Sequence, residues 1–247
     1  MRKLEISKVH DACAAGGECP LCTLEEQAEG TYLRSFQHSR VMEPNVRVET
    51  NKAGFCPRHY RKLYEGENKL GLGLVVHTRL QSVMAQVDAA LDAMEKAVDG
   101  RRIGPFGAMQ TRRQLSAAAA PMAALRGSCF ICGLLSADMQ RYAFTVLYLW
   151  SRDPGFAAAY RASNGFCLPH FLSVFDEAVR SMRPDRIRSW LEDTVPLMKA
   201  SLKRLDGELL AFTQLHQAGN TGHGTDAERT ALARTLQKLS GERFQGR

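Results

Sequence analysis

The feature that most constrains this chain is a cysteine and histidine pattern that occurs twice. "CPLC" runs from Cys19 to Cys22, and "GFCPRH" follows from Gly54 to His59. "CFIC" then runs from Cys129 to Cys132, and "GFCLPH" from Gly165 to His170. Each half of the sequence thus carries a Cys-x-x-Cys and a Cys-x-x-His. Two cysteines, or a cysteine and a histidine, three positions apart share one side of a helical turn. Two such pairs make a Cys3His set, which suits a tetrahedral metal ion. A chain obliged to bring four such pairs together has few folds open to it.

The recurrence extends beyond the candidate ligands. Cys19 and Cys22 are offset by 110 positions from Cys129 and Cys132, and the same offset takes Tyr32 to Tyr142 and Glu43-Pro44 to Asp153-Pro154. One further residue then brings Gly54, Phe55, Cys56 and His59 onto Gly165, Phe166, Cys167 and His170. A period this long signals two copies of one unit, not a solenoid. Cys13 maps to Ala123 and lies outside the repeated design.

Both copies read as helical, and no strand-like alternation stands out. The segments after each Cys-x-x-Cys are rich in helix formers, and Pro44 and Pro154 stop them, since proline lacks an amide proton. Gly54 and Gly165, each just before a Phe-Cys, fit tight turns at positive φ. A long apolar stripe closes each copy. Leu80, Val83, Val87, Ala90, Met94 and Ala97 form the first; Leu191, Val195, Met198, Leu202, Leu205, Leu209, Phe212 and His216 form the second. Spacings of three and four predict bundle cores, with a kink or a fresh helix start at Pro196. The expected fold is all-α: tandem helical units forming a pseudo-two-fold bundle, each unit with its own Cys3His site. The domain reading is residues 1–100 for the first metal-binding repeat and 128–216 for the second. Residues 101–127, with Gly100, Gly104-Pro105, Gly107, Pro121 and Gly127 in or beside them, read as a linker with one short alanine-rich helix. Residues 217–247 read as a flexible stretch and a short helix opened by a capping box at Thr225.

Four protein ligands per ion would close the metal's coordination and make it structural. The sequence therefore predicts two zinc ions, one on Cys19, Cys22, Cys56 and His59, the other on Cys129, Cys132, Cys167 and His170. Near-equal intervals within each copy favour that self-contained partition over pairing between copies. An iron-sulfur cluster is the alternative, because the spacing does not exclude one. A redox dithiol leaves the repeated Cys-x-x-His unexplained. The Cys-Pro context of a haem thiolate occurs at Cys19 and Cys56 but not at Cys129 or Cys167.

With these residues in view, the chain resembles a family of uncharacterised bacterial and archaeal proteins. They carry Cys-Pro-x-Cys, here Cys19, Pro20 and Cys22, and Gly-Phe-Cys-x-x-His, here Gly54, Phe55, Cys56 and His59. The resemblance spans most of residues 15–215 and implies a helical metal-bound protein with no established activity. Phe130 departs from the pattern where the first copy has Pro20.

The remaining histidines, His10, His38, His77, His216 and His223, form no group with ligand spacing. His77 reads as a packed helix residue and His216 as a helix-terminal cap. There is no phosphate-binding glycine loop, nucleophile elbow or His-Glu-x-x-His, so no catalytic or cofactor-binding residue is nominated and the chain leans away from enzymes. The opening "MRKLEISKVHDACAAGG" has no apolar run of the kind a secretory leader needs, and no segment has the length of a membrane helix. A cytoplasmic protein is expected, where unpaired cysteines more often bind metal than form disulfides. The net charge of +7 fits an acidic or nucleic-acid partner. Its basic residues alternate with acidic ones, however, and no aromatic platform accompanies them, so the main expectation is a protein partner. A homo-oligomer through the heptad-like helices is a further expectation. Three functions compete: an adaptor stapled by zinc, an iron-sulfur carrier or redox sensor, and a nucleic-acid regulator. For the fold itself, a far-UV circular dichroism spectrum should show the twin minima of helix. A strand-dominated spectrum would refute the all-α assignment.

Overall fold

A computed structural model describes residues 4–99, 105–125, 127–217 and 224–244. They form eleven α-helices and one 3-10 turn, with no strand among them. The helices are α1 (Ile6–Ala14), α2 (Pro20–His38), α3 (Pro44–Ala53), α4 (Pro57–Glu65), α5 (Lys69–Asp99) and α6 (Pro105–Ala124). There follow α7 (Phe130–Arg152), α8 (Pro154–Arg161), α9 (Leu168–Ser181), α10 (Pro184–Leu215) and α11 (Asp226–Ser240). The 3-10 turn, Arg40–Met42, links α2 to α3. The all-α class expected from the sequence is correct. Among the described residues no helix is long and apolar enough to cross a membrane.

Prolines punctuate this order as their chemistry dictates. Pro44, Pro57, Pro154 and Pro184 each open a helix, where the missing amide proton costs nothing and the fixed φ suits the first turn. Pro44 and Pro154 thus end one helix and begin the next. Pro196 behaves differently. The expected fresh start is absent, and α10 runs unbroken from Pro184 to Leu215 with Pro196 inside it.

The described residues fall into two compact units, Met1–Ala28 with Ser136–Arg247, and Glu29–Leu135. The divisions lie inside α2 and α7, not at the boundaries drawn from the sequence. The main correction is at residues 101–127. Instead of a linker with one short helix, Pro105–Ala124 is a 20-residue helix that packs along α5. Its half-buried positions, Gly107, Thr111, Leu115, Ala118 and Met122, recur at helical spacing. They answer Val83, Val87, Ala90, Met94 and Ala97 on α5, which are all buried or half-buried. The first stripe is therefore a packing face, although Leu80 at its start is 54% exposed. The "QAGNTGHGT" stretch that reads as flexible lies mostly outside the described residues, as does His223.

In the unit built from both chain ends, Trp190 is fully buried. Its ring stacks on Phe171 at 6.1 Å between centroids, and Nε1 donates to the Tyr160 hydroxyl at 3.1 Å. That hydroxyl lies 2.8 Å from Thr194 Oγ1, which also donates to the Trp190 carbonyl. The buried line of α10 is Trp190, Thr194, Met198, Ser201 and Leu205. It is rotated from the apolar stripe read in the sequence, whose Val195 and Leu202 are exposed. Thr194 satisfies its hydroxyl locally, whereas the buried Ser201 hydroxyl has no partner, so the rotation carries a cost at that one position.

In the other unit Phe55 is the hub. It meets Phe36, Tyr60 and Phe130 edge-on, the geometry that aligns a positive ring edge with a negative face. Gly54 before it has φ +61 and ψ −156, a region open essentially to glycine alone. Gly165 sits at φ +70, and a Cβ there would fall 2.9 Å from Met198 Sδ. Both turns follow the expectation from the sequence.

Removing the Tyr160 hydroxyl would strand the Trp190 N–H inside the core. Tyr160→Phe should therefore destabilise the protein by about 1–3 kcal/mol, read as a lower urea midpoint. An unchanged midpoint would mean this N–H is satisfied elsewhere.

Candidate metal centres

All four ligand pairs use one local solution. Cys56 is the N-cap of α4 and Cys167 the N-cap of α9, and three residues on, His59 and His170 occupy the N3 positions. Cys19 and Cys129 immediately precede α2 and α7, so Cys22 and Cys132 stand at the equivalent third positions. N-cap and N3 side chains approach each other across the first turn, as in a capping box. Here the side chains reach towards a shared point instead of towards backbone amides. Each group therefore collects two helix N-termini, whose uncapped N–H groups and positive dipole ends favour thiolates.

The structure joins these pairs in a different combination from the one expected. Cys19, Cys22, Cys167 and His170 form the first group, and Cys56, His59, Cys129 and Cys132 the second. In each, the candidate ligand atoms lie within 4.8 Å of one another. Every Cys-x-x-Cys thus pairs with the Cys-x-x-His of the other sequence half, and the self-contained partition is overturned. The cause is visible around Gly54. The Phe130 amide donates to the Gly54 carbonyl at 2.9 Å, and Ser128 Oγ donates to the Ala53 carbonyl at 2.8 Å. These bonds dock the start of α7 beside the start of α4 and deliver Cys129 and Cys132 to Cys56 and His59.

In the first group, His170 Nδ1 lies 3.5 Å from Cys19 Sγ, 3.4 Å from Cys22 Sγ and 3.1 Å from Cys167 Sγ. The Cys22 and Cys167 sulfurs are 3.6 Å apart. In the second, His59 Nδ1 lies 3.2 Å from both Cys56 and Cys129 and 3.4 Å from Cys132. The Cys56 and Cys132 sulfurs are 3.9 Å apart. The four groups of each set could hold one metal ion.

Each histidine turns its other nitrogen to a carboxylate. His59 Nε2 meets Glu29 Oε1 at 2.9 Å, and His170 Nε2 meets Glu25 Oε2 at 3.4 Å. This partner fixes ring and tautomer and leaves Nδ1 free for a metal. Glu29 is further held by Lys62 at 2.6 Å and Arg58 at 3.0 Å. Neither glutamate was singled out in the sequence, because the residues 110 positions further on are Leu135 and Met139. A carboxylate behind a ligand looks like any other on a polar helix face.

Electrostatics without metal show the strain of this crowding. Burial pushes the Glu29 carboxyl up, but His59, Lys62 and Arg58 outweigh it and hold it down to about 2. Burial lowers His59, and the Cys129 thiol and Glu29 carboxylate overcome that to raise it to about 9. His170 is likewise raised, burial being outweighed by its three cysteines and Glu25. For Cys129, burial pushes the thiol up, but His59 and neighbouring donors bring it to about 6. Cys132 is pushed up to about 12 by burial and by Cys129. A dication at the centre would replace these shared protons, so acidification opposes metal binding.

The other residues nominated from the sequence fall outside both groups. Cys13 is half-buried, with its thiol pushed up to about 12 by burial and by Cys19. His10 faces Asp153 at 3.3 Å. His77 is exposed on α5, contrary to the packed position expected. His216 caps α10, with Nδ1 2.9 Å from the Phe212 carbonyl.

The chain belongs to a family described as a family of unknown function (DUF6062), which matches residues 1–245. No curated protein and no solved structure matches the chain.

The pairing across sequence halves has a direct readout in metal stoichiometry. Cys56→Ser and Cys129→Ser should each cost one ion per chain, and the double variant should cost no more than either. Cys19→Ser combined with Cys56→Ser should cost both ions. The self-contained partition requires the reverse on both counts.

Proposed function

We propose that this protein is a non-enzymatic adaptor, a helical interaction scaffold held by two structural zinc ions, one in each Cys3His group. The observation that carries the zinc reading is the set of distances between candidate ligands. A tetrahedral zinc ion has bonds of about 2.3 Å to sulfur and 2.0–2.1 Å to nitrogen. Its edges are then about 3.8 Å between sulfurs and 3.5 Å from sulfur to nitrogen. The sulfur pairs at 3.6 and 3.9 Å and the sulfur–nitrogen contacts of 3.1–3.5 Å suit a single ion. A multi-iron cluster stands between its cysteines and holds them further apart.

Four protein ligands leave no corner for water or substrate, which supports a structural ion. Three thiolates on a dication carry one net negative charge. Paired helix N-termini and, around Glu29, the cations of Arg58 and Lys62 offset it. The interaction surface is supported by exposed apolar side chains on α5 and α6, among them Leu91, Val98, Phe106 and Met109. Leu91 and Val98 lie on one side of α5, and Phe106 and Met109 on one side of α6, and a contiguous exposed apolar patch marks a binding face.

Protein purified without oxygen should be colourless and hold two zinc ions per chain. Iron with visible absorbance would instead establish the iron-sulfur alternative. Binding energy for a structural zinc is about 10–16 kcal/mol in small peptides, comparable with a whole domain's stability of about 5–15 kcal/mol. A strong chelator should therefore collapse the melting transition. Leu91→Glu with Phe106→Glu should leave zinc content and melting temperature unchanged. A large loss of either would place those side chains in the fold and not on a binding face.

A further inference from the structure

The two groups share a donor set and differ in enclosure. In the first, Cys19, Cys22 and Cys167 are at most 3% exposed and His170 is 7% exposed. The end of α11 covers it. Gly241, in the left-handed C-cap of that helix, places its carbonyl 3.3 Å from Cys22 Sγ. A Cβ at Gly241 would come within 3.5 Å of Cys167 Sγ and 3.3 Å of Pro169, so nothing larger than glycine fits without movement. The cover is pinned along its length. Arg234 meets Glu18 at 3.0 Å, the fully buried Lys238 donates to the Asn164 carbonyl at 2.6 Å, and Arg243 meets Glu26 at 2.6 Å.

The second group is less enclosed. Cys132 is exposed, and Cys56 is half-buried. Cys129 is half-buried as well, and His59 is fully buried. The exposed Cys132 and the half-buried Cys56 face each other, with sulfurs 3.9 Å apart. Zinc keeps cysteines as thiolates, and susceptibility to oxidation follows thiolate character and access.

We infer that the second centre is an oxidant-responsive switch, in which a hydroperoxide converts Cys56 and Cys132 to a disulfide and expels the ion while the covered first centre keeps its own. This rests on the zinc reading above. The exposed Cys132 thiolate attacks the peroxide oxygen, the O–O bond breaks, and a sulfenic acid forms with release of water after protonation. The Cys56 thiolate then attacks the Cys132 sulfur and displaces hydroxide, which takes a second proton. Two electrons pass from the two sulfurs to the peroxide, and two thiolates, one hydrogen peroxide and two protons give one disulfide and two waters. A bound zinc ion would then retain only Cys129 and His59 of its four ligands and would be released as the dication. The starts of α4 and α7, joined by the ion in the reduced state, become joined by a covalent bond.

The test uses the full-length chain loaded with zinc, hydrogen peroxide as oxidant and a colorimetric zinc indicator. One equivalent should be released at least about tenfold faster than the other. Differential alkylation with peptide mass spectrometry should locate a Cys56–Cys132 disulfide, with Cys19, Cys22 and Cys167 still reduced. Dithiothreitol and zinc should restore the starting state. Cys13→Ser should change neither rate. Arg234→Gln, which loosens α11, should speed the slow equivalent and leave the fast one unchanged. Release of both ions at one rate, earlier oxidation of the covered cysteines, or a disulfide between another pair overturns the inference. A chain with no zinc before peroxide is added overturns the zinc reading itself, so the two failures are distinct.

Discussion

Everything in this fold turns on the start of a helix. Four times the chain places a candidate ligand at an N-cap and another three residues later, and twice two such starts meet. A helix N-terminus carries unsatisfied donors and the positive end of the dipole, so gathering thiolates there answers two demands at once. The helix gains negative groups at its first turn, and the sulfurs gain partners that water cannot supply once they are enclosed. Two carboxylates behind the histidines complete the arrangement. Glu25 and Glu29 hold the histidines by Nε2, which commits Nδ1 to the sulfurs.

Much of this was legible in the sequence. The all-helical class followed from composition and periodicity, and the eight candidate ligands from spacing. The positive-φ turns at Gly54 and Gly165 followed from glycine placed before Phe-Cys. Which pairs combine was not legible. Intervals within each copy are nearly equal, and that equality fits a self-contained site and a crossed one alike. The deciding contacts are a backbone hydrogen bond from Phe130 to Gly54 and one from the Ser128 hydroxyl to the Ala53 carbonyl, and neither leaves a distinctive mark in the sequence pattern. The length of helix α6 was hidden for a related reason, since the sequence suggested only a short alanine-rich helix within a linker. Gly107 and Pro121 resemble loop composition, and packing against α5 overrides that weak local preference.

The contrast between the two centres is likewise a matter of what lies above the ligands. The ligand sets are alike, but the first is sealed by the end of α11. Gly241 gives no motif signal. Its role comes from closeness to Cys22, Cys167 and Pro169, a tertiary contact between residues far apart in the chain. Lys238 is similar. A fully buried lysine would be read from sequence as a surface residue, yet its ammonium satisfies the Asn164 carbonyl under the cover.

Crossed pairing also sets an order of assembly. On a ribosome the chain emerges from its N-terminus. Cys19, Cys22, Cys56 and His59 are exposed first, and together they make a complete Cys3His complement that the finished protein never uses as one set. The native second set is complete only when Cys132 has been made, the first only when His170 has, and its seal only with Gly241. A growing chain therefore passes through an interval in which the available donors outnumber their native partners. A metal captured in that interval must be surrendered before either centre can close.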